Sequence, residues 1–265
     1  MVSSPTPAQF RALAAQGLHT SPTAGICPGY AQANLIILPT DAAKDFQHFA
    51  ALNPFSCPVL EQTKPGQHIS SILAPGDDIL TTIPRYRIYH DGHVTEEVLD
   101  ASPYWQEGMV CFLIGCSFSF EEALLQAGLP VRHIEEGSNV PMYRTSIPCT
   151  PYGIFSGSMV VSMRPMLPEQ AKQAAEITAQ FPRVHGAPIH SGDPSVIGIA
   201  DINKPDYGEA VTIRPGEIPV FWPCGVTPQA AVEQAKPSLA IGHAPGHMLV
   251  SDILNATLAT KAVIL

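Results

Sequence analysis

Apolar residues recur along this chain in two periods, one near 3.6 residues and one near 2, and the changes between them outline its elements. Phe10, Leu13, Ala14 and Gly17 stand at i, i+3, i+4 and i+7, which predicts a first helix. Pro7 suits its first position because the missing N–H would be unpaired there anyway, and Gly17 closes it. Asn34 to Leu38 is an unbroken apolar run closed by Pro39, the pattern of a short strand buried on both faces. Asp41 then caps a helix that carries Ala42, Phe46, Phe49 and Ala50 on one side. Arg85 to Val98 alternates about Asp91-Gly92, a pair that accepts positive φ, so a β-hairpin is expected.

Two later segments share a strand, turn, helix layout. Met109 to Gly115 reads as a buried strand. Ser119 and Glu122 follow in capping-box spacing, then Phe120, Ala123, Leu124 and Ala127 on one helical face, with Gly128 as the stop. Val220 to Gly225 repeats the strand side, with Thr227 as cap, Pro228 as first helical residue and Ala230 to Ala235 as the helix. Ser238 to Gly242 reads as the next parallel strand, which would complete a β-α-β crossover. The middle differs, with strands over Phe155 to Met163 and Val196 to Ala200 around a helix from Pro168 to Phe181. The expected fold is α/β: a three-layer α/β/α domain (1–129 and 206–265) with a mostly parallel or mixed sheet, interrupted by a smaller two-layer α+β domain (130–205).

Composition narrows the classes. The 265 residues are 45% apolar, enough for a substantial core, so a disordered chain is excluded. Fourteen basic residues against 23 acidic give a net charge of −9 without a basic stripe, which argues against nucleic acid as a partner. The longest apolar run, Met109 to Cys116, falls well short of the roughly 20 residues of a membrane-spanning helix. Met1 to Pro7 has no basic segment followed by an apolar stretch, so a cytoplasmic location is expected. The six cysteines form no Cys-x-x-Cys pair and are expected as reduced thiols. Twenty-seven prolines, about twice the ordinary share of roughly 5%, are dispersed and imply many rigid loops.

Candidate chemistry gathers at the two turns. Gly115-Cys116-Ser117-Phe118-Ser119 and Cys224-Gly225-Val226-Thr227 each lead into a helix whose unpaired N–H groups could hold a carboxylate or a developing oxyanion, as could those of any tight turn. At such a place Cys116 is either an activated thiol or a small core residue. Four of the ten histidines, His185, His190, His243 and His247, lie in two loops rich in Gly and Pro, with Asp193 close behind His190. They suit proton transfer near neutral pH, or bond backbone carbonyls structurally. No metal site is assigned: Pro245 and Gly246 keep His243 and His247 from sharing a helix face, and no carboxylate lies between them. Arg132, Arg144 and Arg164, with His133 beside the first, could grip an acidic small molecule through paired hydrogen bonds, or form ion pairs with Glu121, Glu135 or Glu136.

Taken together, several stretches resemble the hydro-lyase family that includes the D-glutamate cyclase domain. They are Thr23 to Leu35, Gly115 to Leu124, Arg132 to Glu135, Val140 to Thr145, Val160 to Pro165, His185 to His190, Pro219 to Gln229 and His243 to Met248. The resemblance runs from about residue 9 to residue 253, and it implies a three-layer α/β domain joined to a smaller α+β domain. It also implies a lyase that removes water, most concretely one that closes D-glutamate to 5-oxo-D-proline. One departure stands out: an Arg and an Asp are expected ahead of Pro84-Arg85-Tyr86, where this chain has Leu80-Thr81-Thr82-Ile83.

A dehydration of this kind needs a carboxylate holder, an oxyanion stabiliser and a proton carrier. Arg132, Arg144 or Arg164 fit the first role, the Cys116-Ser117 turn the second, and His190 or His133 the third, with Asp193 orienting a histidine. Ser119, His185, Cys224, Thr227, His243 and His247 complete the expected lining. No cofactor is expected, with dependence on a divalent cation left open, and the partner is a small acidic molecule, with self-association also left open. Two other readings remain: a thiol-dependent hydrolase or amidase using Cys116, and a non-catalytic sensor of small carboxylates.

Overall fold

The computed structural model describes residues 5–259. Met1 to Ser4, part of the segment without a leader pattern, lie outside the described residues, as do the last six of the chain. Helix α1 (Pro7–Ala15) opens with a capping box in which Thr6 Oγ1 accepts from Gln9 N and Gln9 Oε1 accepts from Thr6 N. The chain continues through β1 (Tyr30–Leu38), α2 (Thr40–Leu52), β2 (Val59–Gln62), β3 (Tyr86–His90), β4 (His93–Val98), β5 (Val110–Gly115), α3 (Phe118–Gln126) and α4 (Arg132–Glu136). Then follow β6 (Met142–Pro148), β7 (Ser158–Met166), α5 (Pro168–Thr178), β8 (His190–Ser191), β9 (Ile218–Pro223), α6 (Thr227–Ala235), β10 (Ala240–His243) and β11 (Leu249–Leu254). Among the described residues no helix is long and apolar enough to cross a membrane.

The strands form two sheets. The larger has the order β2-β5-β1-β10-β3-β4, with β11 also on β1, and the smaller has the order β6-β7-β9-β8. Every pairing between these strands is antiparallel, which corrects the parallel or mixed sheet expected from the sequence. The reason is visible on β1. Ala31, Ala33, Leu35 and Ile37 face one core while Ile36 and Leu38 face another, so the strand reads as continuously apolar whatever direction its neighbours run. On one face, α2 and α6 pack Phe46, Phe49, Ala231 and Val232 against Phe112 and Ile114. The other core joins the large sheet to α3, α5 and the inner face of the small sheet, through Phe120, Leu124, Ala174, Val220 and Trp222.

Two further expectations shift. Strand β9 belongs to the small sheet and β10 to the large one, so the expected β-α-β crossover is a passage between sheets through α6. Residues 218–223, assigned from the sequence to the large unit, therefore pair within the small one. Val196 to Ala200 is no strand: Asp193 accepts from Ser195 N at 2.9 Å and starts a 3-10 turn over Pro194–Ile197 that ends on Gly198 at φ 81°. The hairpin forms as predicted, with Asp91 and Gly92 at φ 50° and 80°.

One irregularity bears on the site. The edge of β1 is divided, with β11 pairing Tyr30 to Ala33 and β10 pairing Ile36 and Ile37. At the division the backbone N–H of Leu35 donates to the imidazole Nδ1 of His243 at 3.0 Å. The carbonyl of His243 accepts from Gln229 Nε2 at 2.7 Å, and Gln229 Oε1 accepts from Tyr89 Oη at 3.1 Å. A side chain thus does what the missing backbone partner would have done.

Candidate active site

The two cysteine-bearing turns do converge. Asn34 Nδ2 on β1 donates to the Gly115 carbonyl at 2.9 Å, and a Cβ on Gly225 would come within 2.0 Å of that same nitrogen, so only glycine lets the second turn approach. Cys116 and Cys224 share one apolar cluster with Phe118, Val140, Met142, Val160 and Met248. Both are buried, and burial raises both thiols, Cys224 to about 11. The expected lowering of Cys116 by the helix start is therefore outweighed. Thr227 Oγ1 donates to the Cys224 carbonyl at 2.7 Å and accepts from Val160 N at 3.0 Å, which ties α6 to β7.

Behind this corner lies a buried ionic cluster. Arg164, fully enclosed on β7, donates Nε to Glu121 Oε1 at 3.1 Å, Nη1 to Ser162 Oγ at 3.0 Å and Nη2 to Ser117 Oγ at 3.1 Å. A further contact joins Nη2 to Glu121, and the guanidinium lies 5.2 Å from the Phe120 ring centre and 5.4 Å from that of Trp222. His133 Nε2 stands 3.2 Å from the same Glu121 oxygen, without the alignment of a hydrogen bond. Burial alone would raise the Glu121 carboxyl, but His133 and Arg164 pull it down to about 2. Ser119 Oγ accepts from Gln32 N at 3.1 Å instead of capping α3, whose cap position is Ser117. His185, at φ 88°, shares its proton at Nδ1 with the Phe55 carbonyl at 2.7 Å, leaves Nε2 without a partner and is drawn down to about 4 by burial.

The remaining candidates lie elsewhere. Arg132 is spent on Glu135 at 2.9 Å, Glu217 at 2.7 Å and the Thr212 carbonyl at 2.9 Å. Arg144 binds Glu233 and the Tyr207 hydroxyl. His190, on the short edge strand β8, stacks on Phe221 and meets the Asp193 carbonyl at 2.7 Å, while the Asp193 side chain caps a turn. His243 plugs the divided strand edge, and burial holds it neutral down to about 3. Cys116, Ser117, Ser119, His133, Arg164, His185, Cys224 and Thr227 thus surround one corner, but its guanidinium is consumed by internal partners.

A second place has what that corner lacks. An open polar cleft is lined by Arg85, Arg87, Glu97, Asn139, Tyr207 and His247, with Thr20 to Pro22 along one wall and two further carboxylates, Asp206 and Glu209, that accept from the backbone N–H groups of Arg144 and Asn139. Residues 85 and 87 lie two apart at the start of β3 and so share a face. Both turn to the single carboxylate of Glu97 on β4, Arg87 at 2.9 Å and Arg85 at 3.6 Å, and both stay partly exposed. Asn139 Nδ2 donates to the Pro245 carbonyl at 3.4 Å, while its Oδ1 has no partner. His247 Nδ1 lies 3.0 Å from the Pro245 carbonyl, and burial lowers the imidazole, opposed by that carbonyl and assisted by Arg85. The ring therefore stays neutral at lower pH than a free histidine and can accept a proton. By contrast, the apolar groove beside α2 and β2 offers only Cys57 and Arg183 as titratable groups.

Of the cleft residues, the sequence singled out only His247. Arg85 and Arg87 stand at strand spacing in the expected hairpin, a pattern that carries no binding signal by itself. The departure before Pro84 does not reach the cleft: Leu80 is buried in the main core, and Thr82 Oγ1 donates to the Asp78 carbonyl at 2.7 Å.

The segments that form the cleft and the corner point one way in comparison with known proteins. The family model described as D-glutamate cyclase matches residues 110–252, from β5 into β11. The chain belongs to the D-glutamate cyclase family. A provisionally named hydro-lyase of Mycolicibacterium gilvum (strain PYR-GCK) is 59% identical over 257 residues, covering 97% of each chain. The provisionally named hydro-lyase YcsI of Bacillus subtilis (strain 168) is 55% identical over 96% of this chain and 98% of its own. One from Bordetella petrii (strain ATCC BAA-461 / DSM 12804 / CCUG 43448) is 57% identical over 92% of each. Within this D-glutamate cyclase family member, the matched region holds the whole buried cluster together with Asn139, Tyr207 and His247, whereas Arg85 and Arg87 precede it.

Proposed function

We propose that this protein is a hydro-lyase that acts on a small amino dicarboxylic acid in the cleft of Arg85, Arg87 and His247, most concretely closing D-glutamate to 5-oxo-D-proline. The observation that carries this reading is the meeting, in one open polar cleft, of two guanidiniums that share a single carboxylate with a neutral imidazole and an unpartnered amide oxygen. Arg85 and Arg87 suit the substrate carboxylates. Asn139 Oδ1 and Glu97 suit its ammonium group.

The chemistry balances with one proton carrier. His247 takes a proton from the ammonium group, and the freed amine attacks the γ-carboxyl carbon, forming the N–C bond and an oxyanion beside the guanidiniums. That proton and the second one on nitrogen pass through His247 to the departing oxygen. The C–O bond breaks, and water leaves. The buried Arg164–Glu121–His133 cluster lies outside the lining of this cleft and does not touch the substrate.

Incubation with D-glutamate, L-glutamate and 5-oxoproline of both hands, with and without Mn²⁺ or Mg²⁺, read by chiral chromatography, tests this. The D-isomers should interconvert. His247→Gln should lower turnover about 10²- to 10⁴-fold, as loss of a general base does. Arg87→Ala should chiefly raise KM. No interconversion under any condition, or full activity in both variants, would remove the proposal.

A further inference from the structure

A second, smaller cleft lies over the outer face of α3, beneath the strap of residues 25–30. Its walls are largely apolar, formed by Ile26, Phe118, Leu125 and Ile134, and its polar groups are oxygen-rich. Glu121 spends Oε1 on Arg164 and His133, while its other oxygen meets no donor among the described residues. Glu122 Oε2 accepts from Asn255 Nδ2 at 2.9 Å. Asn255 itself is 7% exposed, is fixed through its backbone N–H to the Gly29 carbonyl at 2.9 Å, and has no partner for Oδ1. An unpartnered buried carbonyl oxygen beside two carboxylates, one of them already held by Arg164, still lacks a donor.

We propose that this cleft binds a primary ammonium group carried on a short apolar chain. Three N–H donors match Glu121, Glu122 and Asn255, and the alkyl part matches the apolar walls. A metal ion fits poorly. Among the described residues no group of three or more His, Cys, Asp or Glu could hold one. The site is separate from the Arg85–Arg87–His247 cleft and does not depend on the reaction proposed for it.

Titration of the full chain with n-butylammonium chloride, followed by calorimetry and by NMR shifts of α3 amides, tests the proposal, with n-butanol as the uncharged control. The expected result is saturable binding at millimolar concentrations or tighter, little or none for butanol, and a loss of about tenfold or more in Glu122→Gln. Arg87→Ala should bind the amine unchanged, which separates this site from the other cleft. Denaturation midpoints establish that Glu122→Gln is folded, and Glu122→Ala supplies a second variant. Absence of saturable binding, equal binding of butanol, or binding that survives in both Glu122 variants overturns the proposal.

Discussion

The corner behind Ser117 and the cleft in front of Arg85 each bring arginine, histidine and glutamate together, and they use them in opposite ways. At the corner, Arg164 is enclosed and gives its hydrogen bonds to Glu121, Ser117 and Ser162. In the cleft, Arg85 and Arg87 share the single Glu97 and keep side-chain surface in water. Buried charge in the first is balanced internally and ties β7 to α3. Partly exposed charge in the second is left with unused donors, and unused donors are what a ligand can take up. The concentration of reactive residue types is therefore a poorer guide to a site than their unspent hydrogen-bonding capacity.

Three experiments sharpen that contrast. Arg164→Ala should be the most damaging, since it leaves the Glu121 carboxylate buried without its main partner. A loss of about 3–5 kcal/mol in denaturant unfolding is expected, against about 1 kcal/mol or less for Arg87→Ala at the partly exposed pair. Equal losses would erase the distinction. Acid should act next. His185 and His243 are held neutral to about 4 and about 3, below their ordinary 6.5, so the unfolded chain binds protons that the folded one refuses. Stability should fall as pH drops from 6.5 towards those values, by about 1.4 kcal/mol per pH unit for each imidazole. Glu121, ionised in the fold down to about 2, adds a further loss below its ordinary 4.5. A flat stability profile between pH 6.5 and 4 would contradict the placement of both rings. The smallest effect belongs to Cys116→Ala: with its thiol buried and raised, turnover should stay within a few-fold of wild type, and abolition would restore a thiol mechanism.

What the sequence disclosed follows from which forces are local. The hairpin about Asp91-Gly92, the start of α1 at Pro7 and the helix from Pro168 rest on turn and capping chemistry a few residues long, and the structure reproduces them. Strand direction does not, because Leu35 and Ile36 are buried on opposite faces under either arrangement. The capping-box reading at Ser119 failed for a similar reason: its hydroxyl finds Gln32 across the fold before it finds its own helix. At the site, the convergence of the Cys116 and Cys224 turns was legible from their Cys-Gly corners. The internal pairing of Arg132 and Arg164 was one of the two readings the sequence left open, with Glu135 and Glu121 among the named partners, whereas Glu217, 85 residues from Arg132, carried no local signal.

His243 shows how a fault in a sheet becomes useful. Because its ring fills the missing rung on β1, the polypeptide can leave the ladder at Ala244 without stranding an amide, and the short excursion that follows carries His247 out to the mouth of the cleft. The proposed proton carrier is thus hung from a repaired break in the architecture, so damage to the repair should register as misaim of an imidazole four residues away.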